Sequence, residues 1–270
     1  VVGAGLAGLS AAITLARLDI PVRLISLLPS ERSQSVLAEG GINGALDTMG
    51  EDDSTDQHFA DTMKAGVYIA DREAVKGLTE NAPQILMELK KLGVPFNLRD
   101  EQIEQRSFGG QKKKRTAYAR SSTGKVLMTA LIDEARRYET EGLIQRFSHH
   151  ELTEIIIIGN GGSCPADDSR KCAGIRVVDK YTGKSLSFMG PVILATGGMN
   201  GIFPEITTGT VTNSGDASAL AFKSGVIFSN LEMIQYHPTT IGIAGKRCLI
   251  SEAARGEGGK IGRASCRERV

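Results

Sequence analysis

Glu252 and Arg255 stand three residues apart in Ser251-Glu-Ala-Ala-Arg255-Gly-Glu-Gly-Gly259, so a carboxylate and a guanidinium share one face of a turn. Shortly upstream, Gln235-Tyr-His237-Pro-Thr239 places an imidazole immediately before a proline, in a stretch biased away from helix. An acid, a permanent cation and a histidine can move a proton and stabilise developing negative charge. Each also has a plain structural reading, as a solvated ion pair or as a core or surface histidine. At the other end of the chain, Val1-Val2-Gly3-Ala4-Gly5-Leu6-Ala7-Gly8 is a Gly-x-Gly-x-x-Gly closing an apolar strand. Gly3 permits the turn, Gly5 lets the backbone approach a pyrophosphate, and Gly8 lets the next helix pack with its N-terminal dipole facing the phosphates.

The elements around the glycines support a dinucleotide site. Leu6, Leu9, Ile13 and Ala16 continue at helical spacing, and residues 21–25 read as the next strand. That strand runs out at Ser26-Leu27-Leu28-Pro29 with no carboxylate before Glu31, so the usual nicotinamide signature is missing and Ser26 is left to meet a ribose. A short buried strand over 191–194 leads into Ala195-Thr196-Gly197-Gly198, bare backbone where ligands of open α/β sheets sit. Asp216, just ahead of a helix over 217–223, can cap it or bind a polar arm of a cofactor. Helices are expected at about 55–65, capped by Asp53 or Ser54, and at about 71–92 and 123–138. Strands are expected over 152–158, 173–179 and 185–189, the last two flanking a hairpin turn at Tyr181-Thr-Gly183. Residues 32–44 have no sustained period, 100–122 read as a loop carrying Phe108-Gly-Gly110 and Gln111-Lys-Lys-Lys-Arg115, and 159–171 as a polar excursion.

Composition narrows the class. Apolar content of 41% and charge of 23% suit a soluble globular protein, and a net charge of +1 gives no reason to expect nucleic acid. No stretch approaches the roughly 20 apolar residues of a membrane span. Four cysteines without paired spacing argue against a disulfide framework and against a zinc or other metal site, and favour a reducing compartment. Only two residues precede Gly3, so the chain is expected to start inside its first strand, since buried strands usually run to about five or six. Ile-Gly-Arg-Ala-Ser-Cys-Arg-Glu-Arg-Val over 261–270 reads as a translated sequencing adapter, and Arg263, Cys266, Arg267 and Arg269 are expected to carry no function. From Ser229 the chain turns irregular, as if a second domain starts.

Taken in order, the motifs resemble one family. Gly3-Ala-Gly-Leu-Ala-Gly8, Arg32-Ser-Gln-Ser-Val-Leu-Ala-Glu-Gly-Gly41, Arg106-Ser-Phe-Gly-Gly110, Arg115-Thr, Thr123-Gly124, Ala195-Thr-Gly-Gly198, Ser214-Gly-Asp216, Gln235-Tyr-His-Pro-Thr239 and Ser251-Glu-Ala-Ala-Arg-Gly-Glu-Gly-Gly259 are similar to the flavoprotein subunit of the succinate dehydrogenase/fumarate reductase family, a relative of L-aspartate oxidase. The resemblance implies an α/β fold: a Rossmann-like FAD-binding domain over 1–228, with a parallel sheet, helices and an added β-meander, then the start of an α+β capping domain over 229–260. It implies FAD, and hydride exchange between flavin N5 and a C4 dicarboxylate. Gly3, Ala4, Gly5 and Gly8 would hold the pyrophosphate and Ser26 the ribose. Ser33, Ala38, Gly40 and Gly41 would lie along the flavin, and Ala195, Thr196, Gly197 and Asp216 along other parts of the cofactor. Gly40, Phe108, His237 and Ser251 would face the dicarboxylate, with Glu252 and Arg255 delivering protons and His237 assisting.

Two departures bear on direction. Most membrane-complex members carry a flavin-linking His where this chain has Gln34, so the resemblance implies non-covalent FAD. A covalent histidyl link raises the flavin potential, and its loss favours reduction. Glu39 stands where succinate dehydrogenases usually have Gln and fumarate reductases often have Glu. Fumarate reduction to succinate is therefore the leading expectation. L-aspartate oxidation to iminoaspartate is the alternative, and a non-catalytic flavin electron carrier a third. The resemblance also implies an iron–sulfur partner subunit and a cytoplasmic placement, or a peripheral one on the inner face of the cell membrane. It puts the proton-donating Arg, a second substrate His and a second carboxylate-binding Arg beyond Gly259. The 270-residue chain by itself is accordingly expected to bind FAD weakly and not to turn over.

Overall fold

The computed structural model describes residues 1–108, 110–159, 170–235, 237, 239–243, 246–250 and 254. In chain order the elements used below are α1 (Leu6–Arg17), β1 (Val22–Ser26), β2 (Ile42–Asn43), α2 (Thr55–Ala65), α3 (Arg72–Lys91), β3 (Leu98–Arg99), β4 (Gln102–Ile103), β5 (Gln105–Arg106) and β6 (Thr116–Ala117). Then come α4 (Thr123–Thr140), β7 (Ile144–Ser148), β8 (His150–Ile158), β9 (Lys171–Asp179), β10 (Ser185–Met189), α5 (Asp216–Lys223), β11 (Thr240–Ile243) and β12 (Lys246–Leu249). The chain divides into two compact units, one of residues 1–36 and 131–238, the other of 37–130 and 239–270.

In the first unit a parallel sheet forms around the N-terminal residues. Val2 bridges Ile25 on one side and Leu194 on the other, and β1 pairs β7 in register from Val22↔Ile144 to Ser26↔Ser148, all parallel. Strand β1 is buried at Val22, Leu24, Ile25 and Ser26, as a strand covered on both faces should be. Helix α1 buries Gly8, Leu9, Ala12, Ile13 and Ala16, a stripe at three- and four-residue spacing, and packs against β1. A three-stranded antiparallel meander, β8-β9-β10, follows. Ile175 and Val177 of the meander form a core with Val2 and Ile25, flanked by Phe147, Leu152, Phe188 and Val192. Asp179 holds the turn between β9 and β10 by accepting the N–H groups of Tyr181 and Thr182, contacts that lower its pKa.

The strand expected over 191–194 is reduced to the single bridge at Leu194, and Ile193 and Leu194 are 43% and 39% exposed. It pairs with Val2 on one side only, so it behaves as an edge segment rather than a buried strand.

The second unit is built on helices. α2 starts at Ser54, whose Oγ accepts the Gln57 N–H, and α3 at Asp71, which accepts the Ala74 N–H. The two helices pack together. The stretch expected to be one loop over 100–122 instead contains β4, β5 and β6, with β6 pairing both β2 and β5. Strands of two residues carry no readable alternation, which is why the sequence shows only a loop. Within this unit Arg115 is buried, bonded by Nε and Nη2 to Asp53 and by Nη2 to Asp61 at 2.8 Å.

Candidate nucleotide-binding site

The first unit holds a cavity of about 560 Å3 at the C-terminal ends of its parallel strands. Its walls are residues 2–7, 26–28, 32–35, 150–152, 194–198 and 212–218, with Ala221, Val226 and Phe228. Each parallel strand contributes the residues that follow it, the position ligands take in open α/β sheets.

Backbone closeness dictates the glycines at the turn. Gly3 sits at φ +105°, and a Cβ there would meet the Ala195 carbonyl oxygen at 2.1 Å. A Cβ on Gly8 would fall 1.8 Å from the Gly3 oxygen, so α1 reaches the strand only because Gly8 has no side chain. Gly8 thus acts by packing beneath the cavity, whereas Gly3, Ala4 and Gly5 line it. Gly5 caps α1, whose first turn carries no acidic residue, leaving the positive helix end open to an anion.

Ser35 was not singled out by the sequence, yet its Oγ accepts the Leu6 N–H at 3.2 Å and so helps cap α1 from a distant segment. Nothing in local spacing links positions 6 and 35. His150, Glu151 and Leu152 were also missed, although their place just after a strand beside β1 is a readable signal.

Ser26 ends β1 with only 6% of its surface exposed, and its Oγ has no hydrogen-bond partner among the described residues. A buried hydroxyl left unpaired costs about 1–3 kcal/mol. A sugar hydroxyl entering the cavity would remove that cost. Thr196 and Gly197 line the same cavity, Gly197 close to the Asn213 side chain, and Ser214 donates to Asp216. Asp216 is the first residue of α5 rather than its cap, which is Gly215. An anion-accepting helix end, an orphaned hydroxyl and bare backbone at Gly3 to Gly5 fit a dinucleotide.

The second unit gathers another set. The Phe108 ring lies against Gly40, where a Cβ would come within 2.4 Å of it. Arg106 donates from Nη2 to the Gly40 carbonyl at 2.9 Å and stacks over Tyr118 at 4.1 Å, while Tyr118 donates to Glu104. Burial, followed by the bond to Glu104, raises the Tyr118 pKa. Gln111 accepts the Phe108 N–H at 3.0 Å and the Thr116 hydroxyl at 3.1 Å, so the Phe108 turn is tied to β6. Ala38 accepts the Gly124 N–H, and Gly41 approaches Thr116 and Ala117 closely.

Of the residues expected from sequence, Gly3, Ala4, Gly5, Ser26, Ser33, Ala195, Thr196, Gly197 and Asp216 line the one cavity. Ala38, Gly40, Gly41 and Phe108 fall in the second unit. His237 is half-buried in the first. Ser251, Glu252 and Arg255 lie outside the described residues. Among the described residues no cluster of His, Cys, Asp or Glu could hold a metal ion, and no helix is long and apolar enough to cross a membrane.

Residues 1–267 match the family model described as an FAD binding domain. The chain belongs to that FAD-binding family. It is 42% identical to a succinate dehydrogenase flavoprotein subunit of Bacillus subtilis, over 97% of this chain and 43% of that protein. It is 36% identical to a fumarate reductase flavoprotein subunit of Mycobacterium tuberculosis, over 96% of this chain and 42% of that one. Among solved structures, an E. coli quinol fumarate reductase superposes with a TM-score of 0.83 at 29% identity, covering 95% of this chain and 41% of that one. This α/β chain is similar to succinate dehydrogenase and fumarate reductase flavoprotein subunits and spans less than half their length.

Proposed function

We propose that the full-length protein is an FAD-dependent oxidoreductase that reduces fumarate to succinate with a non-covalently held flavin. The observation that carries this reading is a nucleotide cavity ending on an unpaired Ser26 hydroxyl, in a chain 42% and 36% identical to succinate dehydrogenase and fumarate reductase subunits. Gly3, Ala4 and Gly5 would face the pyrophosphate, with Gly8 packing the helix behind them. Ser26 would meet the adenosine ribose, and Ser33, Ala195, Thr196, Gly197 and Asp216 other parts of the cofactor. Ala38, Gly40 and Gly41 would back the flavin. When bound, FAD supplies or accepts the hydride.

The chain's own residues do the rest. Phe108, Gly40 and Ser251 would border the dicarboxylate and exclude water from it. The His237 imidazole would donate to one carboxylate, lowering the cost of negative charge developing on the substrate. Glu252 would hold a proton on its carboxyl and exchange it along Arg255 toward the substrate carbon next to the hydride.

Gln34 supports non-covalent attachment, because an amide has no ring nitrogen to alkylate and its Oε1 already accepts the Thr210 N–H. Gln34 and Glu39 together favour reduction over succinate oxidation. The division of labour proposed is an FAD-binding domain over 1–228 and a substrate-capping domain beginning at 229, with 261–270 foreign to both. An iron–sulfur subunit is the proposed electron partner, on a cytoplasmic or inner-membrane peripheral assembly.

The test is an assay of the completed protein with a reduced dye and fumarate, against L-aspartate with oxygen. Fumarate-dependent dye oxidation, with flavin released into the supernatant by acid precipitation, supports the reading. Turnover of L-aspartate with none of fumarate would replace it with the oxidase. Flavin retained in the acid pellet would overturn the non-covalent assignment.

A further inference from the structure

Gln34 and Ser35 sit side by side in the single turn Gln34–Leu37 and reach in two directions. Ser35 Oγ takes the Leu6 N–H at the cavity-facing end of α1. Gln34 Oε1 takes the Thr210 N–H at 2.6 Å, 176 positions away in sequence. The Gln34 amide is seated so closely on Gly209 that a Cβ there would come within 3.0 Å of both its oxygen and its nitrogen.

On the far side, Asn200 Nδ2 donates to the Thr210 carbonyl at 2.8 Å and to Thr207 Oγ1 at 3.1 Å. Thr210 Oγ1 in turn bonds Thr212 Oγ1 at 2.8 Å. Thr212 opens the run 212–218 that forms one wall of the cavity. Between the short turn at Asn200–Ile202 and α5 this segment belongs to no sheet or helix. Polar bonds such as these, rather than a ladder, set its conformation.

We propose that Gln34 is a positioning residue for FAD: a latch whose Oε1 fixes the 207–215 segment against the end of α1, so that the phosphate-facing and wall residues are assembled before the cofactor arrives. Pre-assembly spares FAD the cost of ordering that wall on binding. The operative group is the acceptor oxygen, so a carboxylate can replace the amide and an alkyl side chain cannot.

Gln34 also lines the cavity, so direct contact with FAD is the rival explanation. Asn200 separates the two, because it holds the same segment from a position that does not line the cavity. Residues acting through one element give overlapping losses, and independent ones give losses that multiply.

The experiment uses the full-length protein freed of flavin, with Gln34→Leu, Gln34→Glu, Asn200→Ala and the Gln34→Leu/Asn200→Ala double variant. FAD affinity is read by flavin fluorescence, and amide hydrogen exchange is followed across 207–212. Gln34→Leu is expected to weaken FAD about tenfold, as for a half-buried N–H losing its partner. Gln34→Glu should stay within about threefold of the parent, and the double variant should be no more than about threefold worse than Gln34→Leu alone. Exchange at Thr210 should quicken in Gln34→Leu and in Asn200→Ala, but not in Gln34→Glu.

Unchanged FAD affinity in Gln34→Leu, equal losses in Gln34→Leu and Gln34→Glu, or multiplying losses in the double variant would each overturn the latch. The inference rests on the non-covalent reading only for its affinity readout. Flavin retained after acid precipitation would overturn that reading, and exchange in flavin-free protein would still decide the latch. If Gln34→Leu fails to fold, Asn200→Ala decides: weakened FAD with quicker exchange at Thr210 supports the latch, and unchanged FAD affinity overturns it.

Discussion

A hydroxyl waiting without a partner makes an unusual prediction at the scale of the residue. Ser26 Oγ is buried and unpaired among the described residues, so in the absence of FAD it is a cost rather than a contribution. Ser26→Ala should therefore leave the melting temperature of the flavin-free protein unchanged or slightly higher. The same variant should weaken FAD by about three- to tenfold, a typical loss for one neutral hydrogen bond. Thermal melting of the flavin-free protein checks the first half and titration with FAD the second; unchanged FAD affinity would remove Ser26 from the site. Ser26 was legible because the missing carboxylate drew attention to what ended the strand. Ser35 and Gln34 were not legible as contacts, since their partners at 6 and 210 are brought close only by the fold.

Among the elements, the second unit turns on a buried ion pair that joins the start of α2 to β6. Arg115 and Asp53 have 3% and 2% of their side chains exposed, and Arg115 also reaches Asp61. Removing the cation strands a buried carboxylate, so Arg115→Met should cost about 3–5 kcal/mol of stability, measured by denaturant unfolding. A loss under about 1 kcal/mol would mean the pair is solvated after all.

His58 lies in the same helix, buried, with burial first and then the Arg115 charge lowering its pKa, against an opposing pull from Asp53 and Asp61. Folded His58 is thus neutral at pH values where the unfolded chain, near its ordinary 6.5, already binds a proton. Its contribution is intact above 6.5 and is lost as pH falls from 6.5 through the lowered folded value. Melting temperature should drop over that window in the parent and fall less in His58→Gln. Equal pH dependence in the two would show that His58 is not the group responsible.

The long helices α2, α3 and α4 were readable from periodicity and caps. The two-residue strands were not, and the Lys112-Lys113-Lys114 run read as a plain polar loop although Glu51 pins it through the Lys113 side chain and the Lys114 backbone N–H.

Over the whole molecule, ordered motifs from Gly3 to Gly259 identified the family because no single one had to be decisive. Each short motif has an ordinary structural reading, and their order along the chain does not. Physical direction was harder to read, since it depends on a flavin potential set by groups across a complete active site. Gln34 bears on it most, as an amide bonded to Thr210 at the position where the family resemblance leads one to expect an imidazole.

Hydride delivery from FAD to fumarate is a proposal about the full-length protein, and it can be tested on the flavin itself. The most direct measurement mixes anaerobic full-length protein, its flavin pre-reduced, with fumarate and follows the return of oxidised-flavin absorbance. Prompt reoxidation by fumarate is expected, with succinate formed in equal amount, and no bleaching of the oxidised protein by L-aspartate. Flavin that stays reduced in fumarate, but is bleached from the oxidised form by L-aspartate, would contradict it.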